Sequence, residues 1–274
     1  LPEGSELKLS SDLLKPLVVN NSITNISFPK TSRYHQQGPD GLVNFLQSIS
    51  DNNTKIEKIE TRGKFMYWTL SKDWYIFITY GMTGQFSPKA GKHICMQIDL
   101  QNSPYQIYFN DPRHFGTVKF IKGQNELKVK LNKLGWDPLI HHMDDKWISY
   151  LKEKLKINNK PIGELLLDQS LFAGVGNYVR AESLYLAKLS PFKAANLLSN
   201  FEINLLCESI VKVMTESYDK QGATISTYST VYGEEGKYSG FFKVYSKKTD
   251  PQGNPVVRQQ IGGRTIHWCP NIQL

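Results

Sequence analysis

Between residues 56 and 121 the order of apolar and polar positions breaks into short strand-like runs. Phe65 to Leu70, Trp74 to Tyr80, His93 to Leu100, Tyr105 to Asn110 and Gly116 to Ile121 are rich in aromatic and β-branched residues, with Gly, Pro, Asp and Asn between them. Five or more such strands within about 70 residues predict an antiparallel sandwich or barrel. Ahead of them, Leu7, Leu14 and Leu17 lie on or near one face of a short helix. Lys122 to Lys133 is polar and charged, and Leu134-Gly135-Trp136-Asp137-Pro138 reads as a crossover between domains. Helical spacing follows. Asp144 or Asp145 can cap a helix whose apolar face is Trp147, Ile148, Leu151 and Leu155, and Pro161 can start the next one at its tolerated first position. Ser199 and Glu202 form an S-x-x-E capping box ahead of Ile203, Leu206, Ile210 and Val213. Towards the end Gly222 to Tyr238 reads as a loop, Phe241 to Tyr245 as a strand, Asp250 to Pro255 as a tight turn and Arg264 to Trp268 as a second strand, which together predict a β-hairpin.

One stretch joins two helical patterns through a more specific turn, Leu165 to Glu182, reading LLLDQSLFAGVGNYVRAE. Gly174 and Gly176 carry no Cβ, so the backbone can approach a bulky anion, and the helix that begins after Asn177, at Tyr178, offers N–H donors and a positive dipole end. That is a phosphate clamp. An ordinary helical corner whose glycines only relieve crowding fits the same residues.

Charge sharpens the choice of partner. The 274 residues hold 33 Lys and Arg against 25 Asp and Glu, a net +8, which favours a polyanion and would also suit an anionic membrane surface. No run approaches the roughly 18 apolar residues of a spanning helix and no signal peptide opens the chain, so a soluble intracellular protein is expected. Cys95, Cys207 and Cys269 are odd in number and far apart, and write neither a disulfide framework nor a four-ligand zinc site.

Two places carry candidate chemistry. A proline at a chain terminus is a secondary amine of α-amino type, with a pKa of about 8, so part of it is neutral and nucleophilic near neutral pH; Pro2-Glu3 would supply one. The alternative for the same pair is a plain helix start. The turns Arg62-Gly63-Lys64, Gly81-Met82-Thr83-Gly84 and Asp111-Pro112-Arg113-His114-Phe115-Gly116 place a lysine, a methionine, an arginine and a phenylalanine on loops of one sheet system, as binding tips or as turn chemistry alone.

Taken together, PEGSE, RGKF, GMTG, NDPRHFG, LGWDPL, LLLDQ…GVGN and VYSKKTDPQGNPV…GRTIHWCP, in this order along nearly the whole chain, resemble the Fpg/Nei family of DNA glycosylases. The resemblance implies a bifunctional glycosylase and abasic-site lyase acting on oxidised bases in DNA. Pro2 matches the family's nucleophile, Glu3 its acid/base and Lys64 its sheet-loop lysine at the flanking phosphates. Met82, Arg113 and Phe115 match the residues that fill the void left by a flipped base, and Asn177 and Arg264 match phosphate contacts.

Two departures stand out. The family's zinc finger has four cysteines, and here those positions hold Val256, Gln259, Cys269 and Ile272, so no metal and no other cofactor is expected. Members with such a zincless finger, chiefly eukaryotic and viral Nei-like proteins, prefer oxidised pyrimidines and hydantoins. Leu1 precedes Pro2, and a peptide bond on the proline nitrogen would abolish its nucleophilicity. Leu1 is read as an artefact; if it is retained, the rival reading is a noncatalytic binder of damaged DNA.

The expected architecture is an α+β multi-domain protein. Its parts are an N-terminal antiparallel β-sandwich with flanking helices over 1–135, a helix-two-turn-helix domain over 136–237, and a zincless β-hairpin over 238–274. A monomer is expected, with damaged duplex DNA as partner, running across the cleft between the domains, and no membrane.

Overall fold

The computed structural model describes residues 2–50, 54–225 and 228–274, so Leu1 and two residues of the Gly222 to Tyr238 loop lie outside the described part. These residues form two compact units. One holds Pro2, Glu6–Asn132 and Gln221–Gly236; the other holds Glu3–Ser5, Lys133–Lys220 and Lys237–Leu274. The terminal hairpin thus shares a unit with the helices, and residues 221–236 return to the sheets.

In the first unit two four-stranded antiparallel sheets pack over one core. Strands β1 (Ile23–Ser27), β6 (Ile94–Leu100), β7 (Ile107–Asn110) and β5 (Gln85–Ser87) make one sheet in that order. The other runs β2 (Ile56–Arg62), β3 (Phe65–Leu70), β4 (Trp74–Thr79) and β8 (Thr117–Lys122). Period-two side chains bring Trp68 of β3 against Phe86 of β5, ring centroids 5.4 Å apart, and Phe86 against Phe109 of β7 at 5.0 Å. All three are fully buried, each contributing about 2–3 kcal/mol of apolar transfer energy. Helix α1 (Gly4–Val18) adds Leu7, Leu14 and Val18 to this core, and α2 (Leu42–Ser48) adds Phe45. The segment 122–133, read from sequence only as polar, closes the unit as helix α3 (Gln124–Asn132).

The register matters for function. Thr79 pairs with Thr117 and Gln85 with Asn110, so the two connections that cross between the sheets, residues 80–84 and 111–116, leave from adjacent strand ends.

The second unit is helical: α4 (Pro138–His141), α5 (Asp145–Lys156), α6 (Ile162–Leu165), α7 (Asn177–Leu186) and α8 (Asn200–Asp219). Asp144 caps α5 by accepting from Trp147 N at 3.1 Å, and both halves of the Ser199–Glu202 box are formed. No helix among the described residues is long and apolar enough to cross a membrane.

The hairpin differs from expectation. Its strands are β9 (Val257–Ile261) and β10 (Arg264–Trp268), and Phe241 to Tyr245 is not a strand. Two causes are visible. Gly262 and Gly263, with φ of 54° and 73°, make a two-residue loop of the kind that matches strand twist, so the chain reverses there. The backbone N–H groups of Lys243, Val244 and Tyr245 are taken by the buried Glu182 carboxylate at 2.9, 3.0 and 2.8 Å, leaving none of the three for a ladder. Asp250 to Pro255 is the tight turn expected, at the hairpin's base, with Asp250 N donating to Asn254 O at 2.9 Å.

Candidate active site

Glu3, 3 % exposed, sits on the N-terminus of α7. Its carboxylate accepts from Tyr178 N at 3.0 Å and Val179 N at 3.3 Å, two of the amides that the first turn of a helix leaves unpaired. A Cβ at Gly176 would stand 2.2 Å from the carboxyl carbon of Glu3, so any larger residue would have to push the carboxylate off these amides. Gly174 closes the same corner, where Gly4 N donates to its carbonyl at 2.9 Å, and Ser5 Oγ donates to Met214 O of α8 at 2.8 Å. The glycine turn therefore does admit an anion closely, but that anion is the protein's own Glu3 carboxylate. The sequence left a phosphate clamp and an ordinary helical corner open for those amides; the carboxylate occupies them because three successive residues at α1's entry are stitched to this corner.

Asn177 opens α7 beside this carboxylate. Its Oδ1 accepts from Arg180 Nη2 at 2.7 Å and its Nδ2 donates to Thr265 O at 3.2 Å, which ties it to the residue following Arg264. Arg264 is exposed at the start of β10. Tyr245 joins the cluster. Burial pushes its phenol up, the Glu3 charge adds to that, and a hydrogen bond with Asn177 opposes both. Its ring stands edge-on to His267 at 5.0 Å, and burial first, then Arg258 and Arg180, holds His267 below the ordinary imidazole range.

In the sheet unit the structure brings the void-filling candidates together. Gly81 and Thr83, the neighbours of Met82, both touch the 111–116 loop. A Cβ on Gly81 would meet the Phe115 carbonyl carbon at 2.5 Å, and Thr83 Oγ1 donates to Asp111 Oδ1 at 2.6 Å. Asp111 also accepts from Gly116 N at 2.7 Å, so one buried carboxylate shapes the loop and splices it to its neighbour. On that support Arg113 and Phe115 are exposed, with the guanidinium 5.0 Å from the ring centroid. Lys64 lies at the tip of the β2–β3 turn, where Gly63 takes φ 56°. Pro2 is buried.

The four positions aligned with finger cysteines do not fit a metal: only Cys269 is a soft donor, and among the described residues no group of three or more His, Cys, Asp or Glu could hold one. The hairpin's base is organised by Asp250 instead. Its carboxylate accepts from Gln252 N at 2.9 Å, Asn254 N at 2.8 Å, Asn254 Nδ2 at 3.0 Å and Tyr185 Oη at 3.1 Å, and Cys269 Sγ lies 3.9 Å away. Burial opposes the charge, yet these hydrogen bonds hold the carboxyl below the ordinary aspartate range. Asp111, Arg180, Glu182, Tyr245 and Asp250 were not singled out from sequence. Arg180 and Glu182 had left a signal, as charges on a helix whose other positions are apolar or small.

The N-terminal domain model of formamidopyrimidine-DNA glycosylases matches residues 1–118, and the H2TH domain model of the same enzymes matches 134–229. Formamidopyrimidine-DNA glycosylase of Prochlorococcus marinus is 33 % identical over 98 % of this chain and 96 % of its own length, and that of Listeria innocua 30 % over 100 % of both. Among solved structures, the MutM (Fpg) protein of Thermus thermophilus superposes with a TM-score of 0.84 at 29 % identity, covering 99 % of this chain and 98 % of that one. A Lactococcus lactis Fpg variant in complex with DNA containing Fapy-dG gives 0.85 at 27 % identity, covering 99 % of both chains.

Proposed function

The chain belongs to the formamidopyrimidine-DNA glycosylase family, and on that premise we propose that it excises oxidised bases and cleaves the abasic strand through the amine of Pro2. The observation that supports this most is the anchoring of Glu3 and Gly4, the residues that follow Pro2, to the glycine turn, which gives the Glu3 carboxylate one defined position. In the proposed reaction the proline nitrogen attacks C1′ of the damaged nucleotide and the glycosidic electron pair leaves with the base. The nitrogen loses its proton to the Glu3 carboxylate, Glu3 passes that proton to O4′ as the C1′–O4′ bond breaks, and the lone pair freed on nitrogen closes an iminium. That cation acidifies C2′, whose proton is lost as the 3′ phosphate departs, and a second elimination releases the 5′ phosphate. Lys64, Asn177 and Arg264 hold backbone phosphates.

The choice of lesion belongs to the proposal. The relatives' names point to formamidopyrimidines. The finger without its cysteines resembles Nei-like members and points to oxidised pyrimidines and hydantoins.

Met82, Arg113 and Phe115 are proposed to occupy the space of the extruded base. Alanine at any of the three is expected to slow base excision from duplex DNA by about tenfold, while cleavage of a preformed abasic site changes much less, because only the first reaction must expel a stacked base. Parallel single-turnover assays check it. Equal losses on both substrates would reduce these residues to general DNA contacts.

With Asp250 in place of a metal, the purified protein is expected to hold well under one zinc per chain and to melt at the same temperature with and without chelator. Elemental analysis reading one zinc per chain, or melting brought down by chelation, would overturn the reading of the hairpin.

A further inference from the structure

Arg180 is the only lysine or arginine among the described residues that is buried, at 0 % exposure, and none of the roles above uses it. Its hydrogen bonds go to neutral oxygens. Nη1 donates to Gly163 O at 3.0 Å, Nη2 to Asn177 Oδ1 at 2.7 Å and to Thr265 O at 3.0 Å, while Nε has no partner among the described residues. A buried guanidinium bonded in this way is costly, and stability alone would be better served by an apolar side chain. Burial lowers its pKa to about 10, against the Glu3 charge and reinforced by Arg264, so at neutral pH the charge persists.

The contacts specify what the arginine does. A carboxamide can present either its oxygen or its NH2 group to a neighbour. With Nη2 donating to Oδ1, only one orientation of Asn177 avoids setting donors against donors, and it is the one that leaves Nδ2 on the Thr265 side. The same Nη2 holds the Thr265 carbonyl, so α7 and the first residues of β10 are clasped through one nitrogen. Of the two Nδ2 hydrogens one goes to the Thr265 carbonyl that Arg180 also holds, and the other to the Tyr245 phenol. We infer that Arg180 is a positioning residue for DNA binding: it locks the Asn177 carboxamide with NH2 as the donor, so that its second hydrogen passes from the Tyr245 phenol to a phosphate. The inference rests on the proposed role of Asn177 at a phosphate. Being fully buried, Arg180 does not itself reach DNA.

The test is equilibrium binding of a duplex containing a tetrahydrofuran abasic analogue, measured across a salt series for Arg180→Met, Asn177→Ala and the double variant. Arg180→Met is expected to weaken binding about tenfold, as does Asn177→Ala, since each removes one well-aimed bond to a charged group. The double variant binds no more weakly than Asn177→Ala, because the arginine acts through the asparagine. The slope of log affinity against log salt stays unchanged, since no phosphate-neutralising cation is lost. Should Arg180→Met fail to fold, Arg180→Lys carries the test: it keeps the charge without the planar fork, and about a threefold loss is expected, again with no further loss on Asn177→Ala. Additive losses in the double variant would overturn the inference while leaving Asn177 at its phosphate. A slope reduced by about 0.9 would overturn it too, by making Arg180 a direct contact. Wild-type binding by Asn177→Ala would instead reject the phosphate role of Asn177 on which it stands.

Discussion

Glu182→Ala is expected to destabilise the helical unit by about 3 kcal/mol. The carboxylate is 2 % exposed and its two oxygens take the backbone N–H groups of Lys243, Val244 and Tyr245. Removing it leaves three donors to find partners, Val244 N buried and Lys243 N and Tyr245 N half-buried, the buried one costing about 1–3 kcal/mol when no partner is available and the other two less. Some of that sum is recovered. Burial pushes the Glu182 carboxyl above the ordinary glutamate range, and the three N–H groups, with the Lys243 charge, only partly pull it back, so alanine also relieves a desolvation cost. Glutamine, which keeps one acceptor but sets an NH2 group against the remaining donors, falls between the two. Denaturant melts of the three proteins and amide exchange at residues 243–245 check this. A loss under about 1 kcal/mol with unchanged exchange would mean that the turn is held by other contacts. Because Tyr245 hangs from the same turn beside Asn177 and Glu3, DNA binding is expected to fall with stability.

The strands of the central sheets were legible because aromatic and β-branched runs such as Phe65 to Leu70 bury alternate residues on a common core. What escaped has local causes. β1 buries Ile23 and Ile26, three residues apart, because its register slips between Ile23 and Asn25, and a bulge destroys the period of two. β5 is three residues long, too short to show any period. α3 buries Leu127 alone, so its sequence carries no apolar stripe. At the candidate site, Glu3, Asn177, Met82, Arg113 and Phe115 came from a resemblance spread over many weak motifs. Their supports are another matter. The bond from Tyr178 N to Glu3, the clasp of Arg180 on Thr265 and the hold of Glu182 on residues 243–245 join positions 175, 85 and 61 or more apart. No local pattern encodes such pairs, although the glycine at 176 turns out to be the residue that lets the first of them form.

Everything proposed about the chemistry depends on the nitrogen of Pro2, and that dependence sets the size of the second large effect. An α-amino group with a pKa of about 8 is partly neutral near pH 7, whereas an acylated proline nitrogen has no basic lone pair at all. A chain beginning at Pro2 is therefore expected to form an iminium with damaged DNA, while one retaining Leu1 has two poorer choices. A lysine amine ordinarily has a pKa of about 10.4 and is mostly protonated near neutral pH. The Leu1 amine would stand one residue out of place, a displacement that costs on the order of a hundredfold in rate. The direct measurement is borohydride trapping on duplex DNA carrying an oxidised base, with intact mass read on the same sample and Pro2→Gly alongside as a weakened primary-amine control. The expected result is near-complete covalent capture for protein beginning at Pro2 and roughly a hundredfold slower capture when Leu1 is attached. Rapid trapping with Leu1 still in place and indifferent to Pro2→Gly, or no trapping at all by a chain whose Pro2 amine is exposed, would contradict the assignment of Pro2 as the nucleophile.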